Sequence, residues 1–465
     1  MDKITRSGFS GQLKGTVECF YGIQYAKLDS GLRFGATSVI KEDRQIDVPT
    51  LKDVPVFPQF PSRLATSMGS KIGDNPQSES AFFLNVWAPN LSAGLPVLVF
   101  IHGGAWMTGG GSASWYDGET ISAHGAVVVT FNYRIGPLAH LREEGISDER
   151  NPAFSDVLCA MRWVHENIAR FGGDPTKVTV AGQSAGSWYA HLLSISESAR
   201  GLLSRVAYLS HASNRPWSAA YQDQFSSEVQ QELGTGTLQD VEHTELLVAA
   251  KRVLGQRPQE FGSVPTPYLP TADEATADLF CSAAESARVS HAEAVYIRTT
   301  GTETSSFFFD SPQARGLSAE AAAAVLTSLW SACVGTAEVG AATTAATPYE
   351  ELLAVTSELH FDGPSRKLAD AFALQGTPAY LRVFDLESEL DGFRSGHCFD
   401  LPFQFGQFEH WADAPMLTGV SRDEFDRVSE ILMSELVAFA SASEKTCGLK
   451  RHVDGALAEP MMIRT

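Results

Sequence analysis

The chain has 465 residues, with 35 Lys and Arg against 55 Asp and Glu and a formal net charge of −20. That balance argues against nucleic acid or an anionic membrane as partner, because both require a cationic face. With 44% hydrophobic and 19% charged residues the chain can bury a large core and is not a disordered polymer.

No apolar run reaches the roughly 18 residues that span a bilayer. Residues 1–15 carry no apolar signal core, so a cytoplasmic location is expected. The six cysteines, Cys19, Cys159, Cys281, Cys333, Cys398 and Cys447, are scattered and form no C-x-x-C pair. They read as reduced thiols, with no zinc site.

In chain order, Leu95–Ile101 and Ala126–Phe131 are short apolar runs without polar alternation, which predicts strands buried on both faces. Phe154 to Phe171 predicts a helix, because Val157, Leu158, Met161, Val164 and Ile168 recur at three- and four-residue steps before Gly172-Gly173. Val178–Ala181 predicts another strand and Ala185 to about Ile195 another helix. Residues from about 215 to 290 are more polar, with a helical patch at Thr244–Val253, and residues 317–349 are Ala-rich, which favours plain helix. A strand is predicted at Tyr380–Phe384 and a late amphipathic helix at Ile431–Ala442. Alternating strands and helices imply an α/β fold with a mostly parallel sheet. No linker is evident, so residues 1–465 read as one domain with inserted helical regions at about 215–290 and 311–375.

Gly182-Gln183-Ser184-Ala185-Gly186 is a G-x-S-x-G pattern set between a predicted strand and a predicted helix. That context places a serine on a sharp turn at a helix N-terminus, where backbone N–H groups favour developing negative charge. A serine hydroxyl needs a base, and the base needs an orienting acid, in the chain order Ser, Asp/Glu, His. Of the histidines downstream, His397 stands out in Ser395-Gly-His-Cys-Phe-Asp-Leu-Pro402, a loop after the Tyr380–Phe384 strand. His102-Gly-Gly-Ala-Trp106 follows another strand and leaves small residues whose N–H groups suit a tetrahedral oxyanion. Gly109-Gly-Gly111 lacks the Lys-Ser/Thr of a phosphate cradle.

Further segments extend the pattern: Gly22-Ile-Gln-Tyr-Ala26, Leu32-Arg-Phe34, Ser78-Glu79 with Leu84-Asn-Val-Trp-Ala-Pro89, Asn132-Tyr-Arg-Ile-Gly136, and Phe171-Gly-Gly-Asp-Pro175. Together they make the chain resemble the type-B carboxylesterases, from about residue 15 to 408. The resemblance implies an α/β-hydrolase fold, in which helical insertions cover the active site, and a serine carboxylesterase acting on a small-molecule ester with no metal or organic cofactor. It assigns Ser184 as nucleophile, His397 as base and Glu303, in Ile297-Arg-Thr-Thr-Gly-Thr-Glu303, as the orienting acid. It also assigns the amides of Gly104, Ala105 and Ala185 to the oxyanion hole, and Arg33–Glu79 and Arg134–Asp156 to structural ion pairs.

The chain also departs from the family pattern. Ala81 replaces a disulfide cysteine, Gln183 a glutamate, and Arg298 and Thr304 glycines beside Glu303. His211 falls where many members carry a serine near the acid, which makes it a candidate support for the triad. Trp106, Trp188, Trp217, Phe307, Phe308 and Phe403 are candidates to line an apolar pocket. Two other functions fit the same residues: an acyltransferase or cyclase that excludes water, and a non-catalytic interaction module on the same fold. The sequence assigns neither the natural ester nor an oligomeric state.

Overall fold

Apolar runs with no polar alternation become strands covered on both faces. The computed structural model describes residues 2–90, 93–143, 145, 148–211, 214–264, 266–334, 346–442, 451–452 and 461–463. Eleven strands form one sheet: β1 (Asp2–Arg6), β2 (Phe9–Lys14), β3 (Val17–Gln24), β4 (Phe83–Pro89), β5 (Leu95–Ile101), β6 (Val127–Phe131), β7 (Gly173–Gln183), β8 (Arg205–Leu209), β9 (Ala294–Thr300), β10 (Ala379–Phe384) and β11 (Met461–Ile463). Their order is β1-β2-β3-β4-β6-β5-β7-β8-β9-β10-β11. From β6 onward all neighbours are parallel, while β1 to β4 add an antiparallel edge. This is the α/β-hydrolase architecture that the family resemblance implied.

Inward-facing Val97, Val99 and Val129 join one apolar core, and Leu98, Phe100 and Val128 a second on the opposite face of the sheet. The helix predicted from Phe154 starts at Pro152, where Asn151 caps it by accepting from the Phe154 amide. It runs to Asn167, tightens into a 3-10 turn over Ile168–Phe171, and stops at Gly172 with φ +87°. The predicted Val178–Ala181 strand is the centre of the longer β7. The late helix spans Arg422–Ala440, beginning nine residues before the predicted start; its first turns expose charge while burying Phe425 and Val428. Among the described residues, four helices, Ala219–Leu233, His243–Gly255, Glu274–Cys281 and Ala283–Val289, lie within residues 215–290. The Ala-rich segment forms Ala319–Val334, and residues 335–345 of that prediction lie outside the described residues.

Both expected ion pairs form. Arg134 grips Asp156 with Nε and Nη2 at 2.8 and 2.7 Å, fully buried. Arg33 Nε donates to Glu79 at 2.7 Å, and its Nη1 also donates to the carbonyls of Leu238 and Val241, which ties the segment before the helix His243–Gly255 to the N-terminal segment. Cys19, Cys159, Cys281 and Cys398 are free thiols; the side chains of Cys333 and Cys447 lie outside the described residues. Among the described residues no helix is long and apolar enough to cross a membrane.

A further ion pair, wholly buried, was not expected. Arg298 on β9 donates to Asp400 at 2.9 Å through Nε and to Gln404 at 2.7 Å through Nη1, with both members of the ion pair wholly buried. Arg298→Ala would strand the Asp400 charge, so a loss of about 3–5 kcal/mol is expected. Guanidinium denaturation monitored by circular dichroism checks it, and an unchanged midpoint would remove the pair from the scaffold.

Candidate active site

At the end of β7 the chain turns through Ser184 at φ +55°, ψ −121°, and enters the helix Ala185–Ile195. A side chain held at positive φ is strained by on the order of 1–3 kcal/mol, and such strain persists only where the surroundings enforce it. They do here: the Ser184 amide donates to Leu209 O at 2.9 Å, and its carbonyl accepts from Ser187 N at 2.9 Å. Gly186 lets the helix pass the neighbouring strand, since a Cβ there would sit 2.0 Å from Ile101 O.

The loop after β5 comes to the same point. Gly104 has φ +118°, and a Cβ on it would meet the Thr108 carbonyl oxygen at 1.9 Å, so only glycine fits. Ala105 and Trp106 follow at φ +52° and +58°. His102 steadies the loop from below: its Nδ1 lies 2.9 Å from Gly103 O, and Tyr133 stacks on its ring while donating to its carbonyl at 2.7 Å. Burial lowers the His102 pKa to about 4, so the ring is neutral. The amides of Gly104, Ala105 and Ala185 donate no hydrogen bond among the described residues, and all three residues line the cavity that holds Ser184. Uncommitted N–H groups of this kind can receive an oxyanion.

His397 and Glu303 enter from the far side. Glu303 follows β9; the Thr300 amide donates to its Oε1 at 2.9 Å, and its Oε2 accepts from His397 Nδ1 at 2.6 Å. The His397 amide donates to the Glu303 carbonyl at 3.0 Å, which fixes backbone and side chain together. Phe307 and Phe361 flank the imidazole at ring-centre distances of 5.4 and 5.0 Å. Burial opposes protonation of His397, but its electrostatic and hydrogen-bonding interactions with Cys398 and Glu303 outweigh it, so its pKa stands well above the usual value. Asp362, whose charge couples to Glu303, is pushed up to about 8, first by burial and then by Glu303. At neutral pH its carboxyl is therefore largely protonated.

Because Nδ1 donates to Glu303, Nε2 is the acceptor. It faces the Gln183 side-chain amide at 3.4 Å, and the same amide donates to Cys398 Sγ at 3.2 Å. The Ser184 hydroxyl has no partner among the described residues but shares the cavity with His397. Bonds of this type often close only when substrate is bound. The two departures beside Glu303 are absorbed elsewhere: Arg298 is turned to Asp400, and the Thr304 hydroxyl lies 2.7 Å from that of Thr356.

The cavity measures about 670 Å³, within the range of drug-sized ligand sites. Of the six aromatic candidates, only Trp106 and Phe307 line it. Trp188 lies behind the wall, stacked on Phe280 at 4.3 Å, and Trp217 packs among Tyr221, Phe225 and Tyr268. Phe308 joins a small cluster with Leu326 and Leu352, and Phe403 belongs to the core with Phe399 and Phe425. These four pack in or against the apolar cores and do not line the cavity. Phe280, Leu359 and Phe361 line the cavity instead, from segments where no motif marks them.

His211 also lines the cavity, but its ring nitrogens are engaged away from Glu303. A chain of bonds runs Ser187–His211–His191–Ser286, at 3.1, 3.3 and 2.9 Å. Its direction is fixed, because the Ser286 hydroxyl donates to Leu279 O at 2.7 Å and must accept from His191 Nε2. Each ring therefore donates through Nε2 and accepts through Nδ1, starting from the Ser187 hydroxyl. Burial lowers His211 to about 4 and, with the neighbouring His211, depresses His191 further.

A sequence model of the carboxylesterase family matches residues 6–454. The chain is 31% identical over 427 residues to a probable N-octanoylanthranilate hydrolase of Rhodococcus erythropolis, covering 89% of this chain and 87% of that protein. It is 30% identical over 381 residues to the phenmedipham hydrolase of Pseudarthrobacter oxydans, covering 80% and 76%. A solved PNB esterase structure superimposes with a TM-score of 0.78 at 25% identity, covering 97% of this chain and 93% of that one.

Proposed function

Since the chain belongs to the carboxylesterase family and is a carboxylic ester hydrolase, we propose that it works through an acyl-enzyme on Ser184. His397 Nε2 takes the Ser184 proton as Oγ bonds to the ester carbonyl carbon. Glu303 holds the imidazole in the required tautomer and stabilises its charged form. The carbonyl oxygen, now anionic, is received by the amides of Gly104, Ala105 and Ala185. The C–O bond to the alcohol breaks, and the alcohol leaves with the proton from His397. Water then attacks the acyl carbon, His397 taking its proton, and the acid departs as the proton returns to Ser184.

The observation that carries this reading is the meeting of three uncommitted amides and a hydrogen-bonded His–Glu pair at one strained serine. Four free thiols among the described cysteines support a reducing, cytoplasmic setting. A non-catalytic module would have no use for that arrangement. A fluorophosphonate probe is expected to form one adduct per chain, mapped by mass spectrometry to the Ser184 peptide. Folded protein that stays unlabelled at Ser184 would overturn the mechanism.

A further inference from the structure

The carboxamide of Gln183 stands at the lone pair that the mechanism uses. Gln183 closes β7 one residue before the nucleophile and is 1% exposed. Its Nε2 lies 3.4 Å from His397 Nε2 and 3.2 Å from Cys398 Sγ. On its other side the side chain packs against the oxyanion loop, because a Cβ on Gly103 would sit 2.5 Å from Gln183 Oε1. The carboxamide is therefore wedged between the segment that carries the base and the segment that carries the oxyanion amides.

Which end of the carboxamide meets the imidazole follows from Glu303. His397 Nδ1 donates to Glu303 Oε2, so the neutral ring offers only a lone pair at Nε2 and takes a donor there. The Gln183 amide supplies that donor, with its second N–H directed to Cys398 Sγ. The same lone pair must accept the Ser184 proton. Once it has, Nε2 carries a hydrogen of its own and faces the amide donor to donor, which is unfavourable. The charged ring is then left to give its proton to the oxygen of Ser184 or of the leaving alcohol. A glutamate at position 183 would do the opposite, accepting from the charged ring and holding it.

We propose that Gln183 is a positioning residue of this hydrolase, which holds the neutral His397 ring by its Nε2 lone pair and withholds any acceptor from the charged ring. The inference deepens the acyl-enzyme mechanism above and rests on it. It also bears on the pH at which the base is available. Interactions with Cys398 and Glu303 raise the His397 pKa, and a donor to the neutral ring works against that rise. The other titratable groups around the ring are Asp362, coupled to Glu303 and in turn to Glu358 and Arg366, and Tyr116, coupled to Cys398. Phe307 and Phe361 complete its surroundings. None of these is altered by a substitution at position 183, so a comparison of variants isolates the Gln183 side chain.

The test is the pH profile of kcat/KM for p-nitrophenyl acetate in wild type, Gln183→Glu and Gln183→Met, each shown to be folded by circular dichroism. In Gln183→Glu the carboxylate stabilises the charged ring, so the acid limb is expected to move to higher pH by about one pH unit, with a lower plateau. Gln183→Met fills a similar volume with neither donor nor charge, and its acid limb is expected to move the same way by less. This second variant decides the matter if the glutamate variant does not fold. A packing role alone would lower activity at every pH and leave the limb in place. An acid limb that stays put or moves to lower pH in a folded variant would overturn the inference, while wild-type turnover and labelling of Ser184 upheld the acyl-enzyme mechanism. Folded wild-type enzyme that neither turns over the ester nor is labelled at Ser184 would overturn both.

Discussion

Ser184→Ala is expected to lower kcat/KM for p-nitrophenyl acetate by on the order of a millionfold. The size of the loss follows from what remains. The amides of Gly104, Ala105 and Ala185 stay in place and can still polarise a carbonyl, yet no group is left to form the covalent bond. A water molecule activated by His397 would have to attack directly, without the positioning that a strained turn gives the serine oxygen. The substitution also removes a hydroxyl with no hydrogen-bond partner among the described residues, so the folded state is expected to survive it. Stopped-flow or long-time-course assays of the purified variant, with circular dichroism to establish folding, decide the matter. Activity within tenfold of wild type would mean that Ser184 is not the nucleophile.

Glu303→Gln is the second large effect, a fall of roughly ten-thousandfold in kcat. The carboxylate Oε2 accepts from His397 Nδ1 at 2.6 Å and thereby leaves Nε2 as the proton acceptor. A glutamine amide at this place can donate to Nδ1 instead, which puts the proton on Nε2 and blocks it as a base. The pH profile carries an independent reading. A base must be neutral, so activity rises with pH through the His397 pKa. Burial lowers that pKa, but the interactions with Cys398 and Glu303 hold it well above the ordinary value. Removing the Glu303 charge should therefore move the acid limb of kcat/KM to lower pH even as the plateau collapses. Glu303→Asp, which keeps the charge, should retain more activity than Glu303→Gln. A variant with full activity, or an acid limb that does not move, would remove Glu303 from this role.

The strands around the site were legible in the sequence because burial on both faces leaves a simple trace. Leu95–Ile101 and Val127–Phe131 consist of Val, Leu, Ile and Phe apart from Pro96 and Thr130, and a stretch that apolar has no solvent-facing side. The Ser184 elbow was legible because glycines flank it for steric reasons that any chain must obey. Glu303 was not legible from spacing, since acidic residues are common and nothing local sets one apart; only the likeness to a family singled it out. Contacts between distant segments left no trace. Arg298 looked like an intrusion beside Glu303, yet its partner Asp400 lies 102 residues on and comes close only through the fold. The pocket aromatics show the same limit. Trp188 shares a helix with the elbow, but its ring lies against Phe280 behind the wall, and no local pattern distinguishes that from facing the substrate.

The Ser187–His211–His191–Ser286 chain has a further consequence for whatever enters the cavity. Each nitrogen of the two rings already has a fixed partner. A guest molecule on that side of the cavity therefore meets two histidines with nothing left to give or accept, and touches only the flat faces and edges of their rings. That part of the wall works as a gauge of thickness: it admits or refuses a guest by its contour and is blind to the guest's own hydrogen-bonding groups.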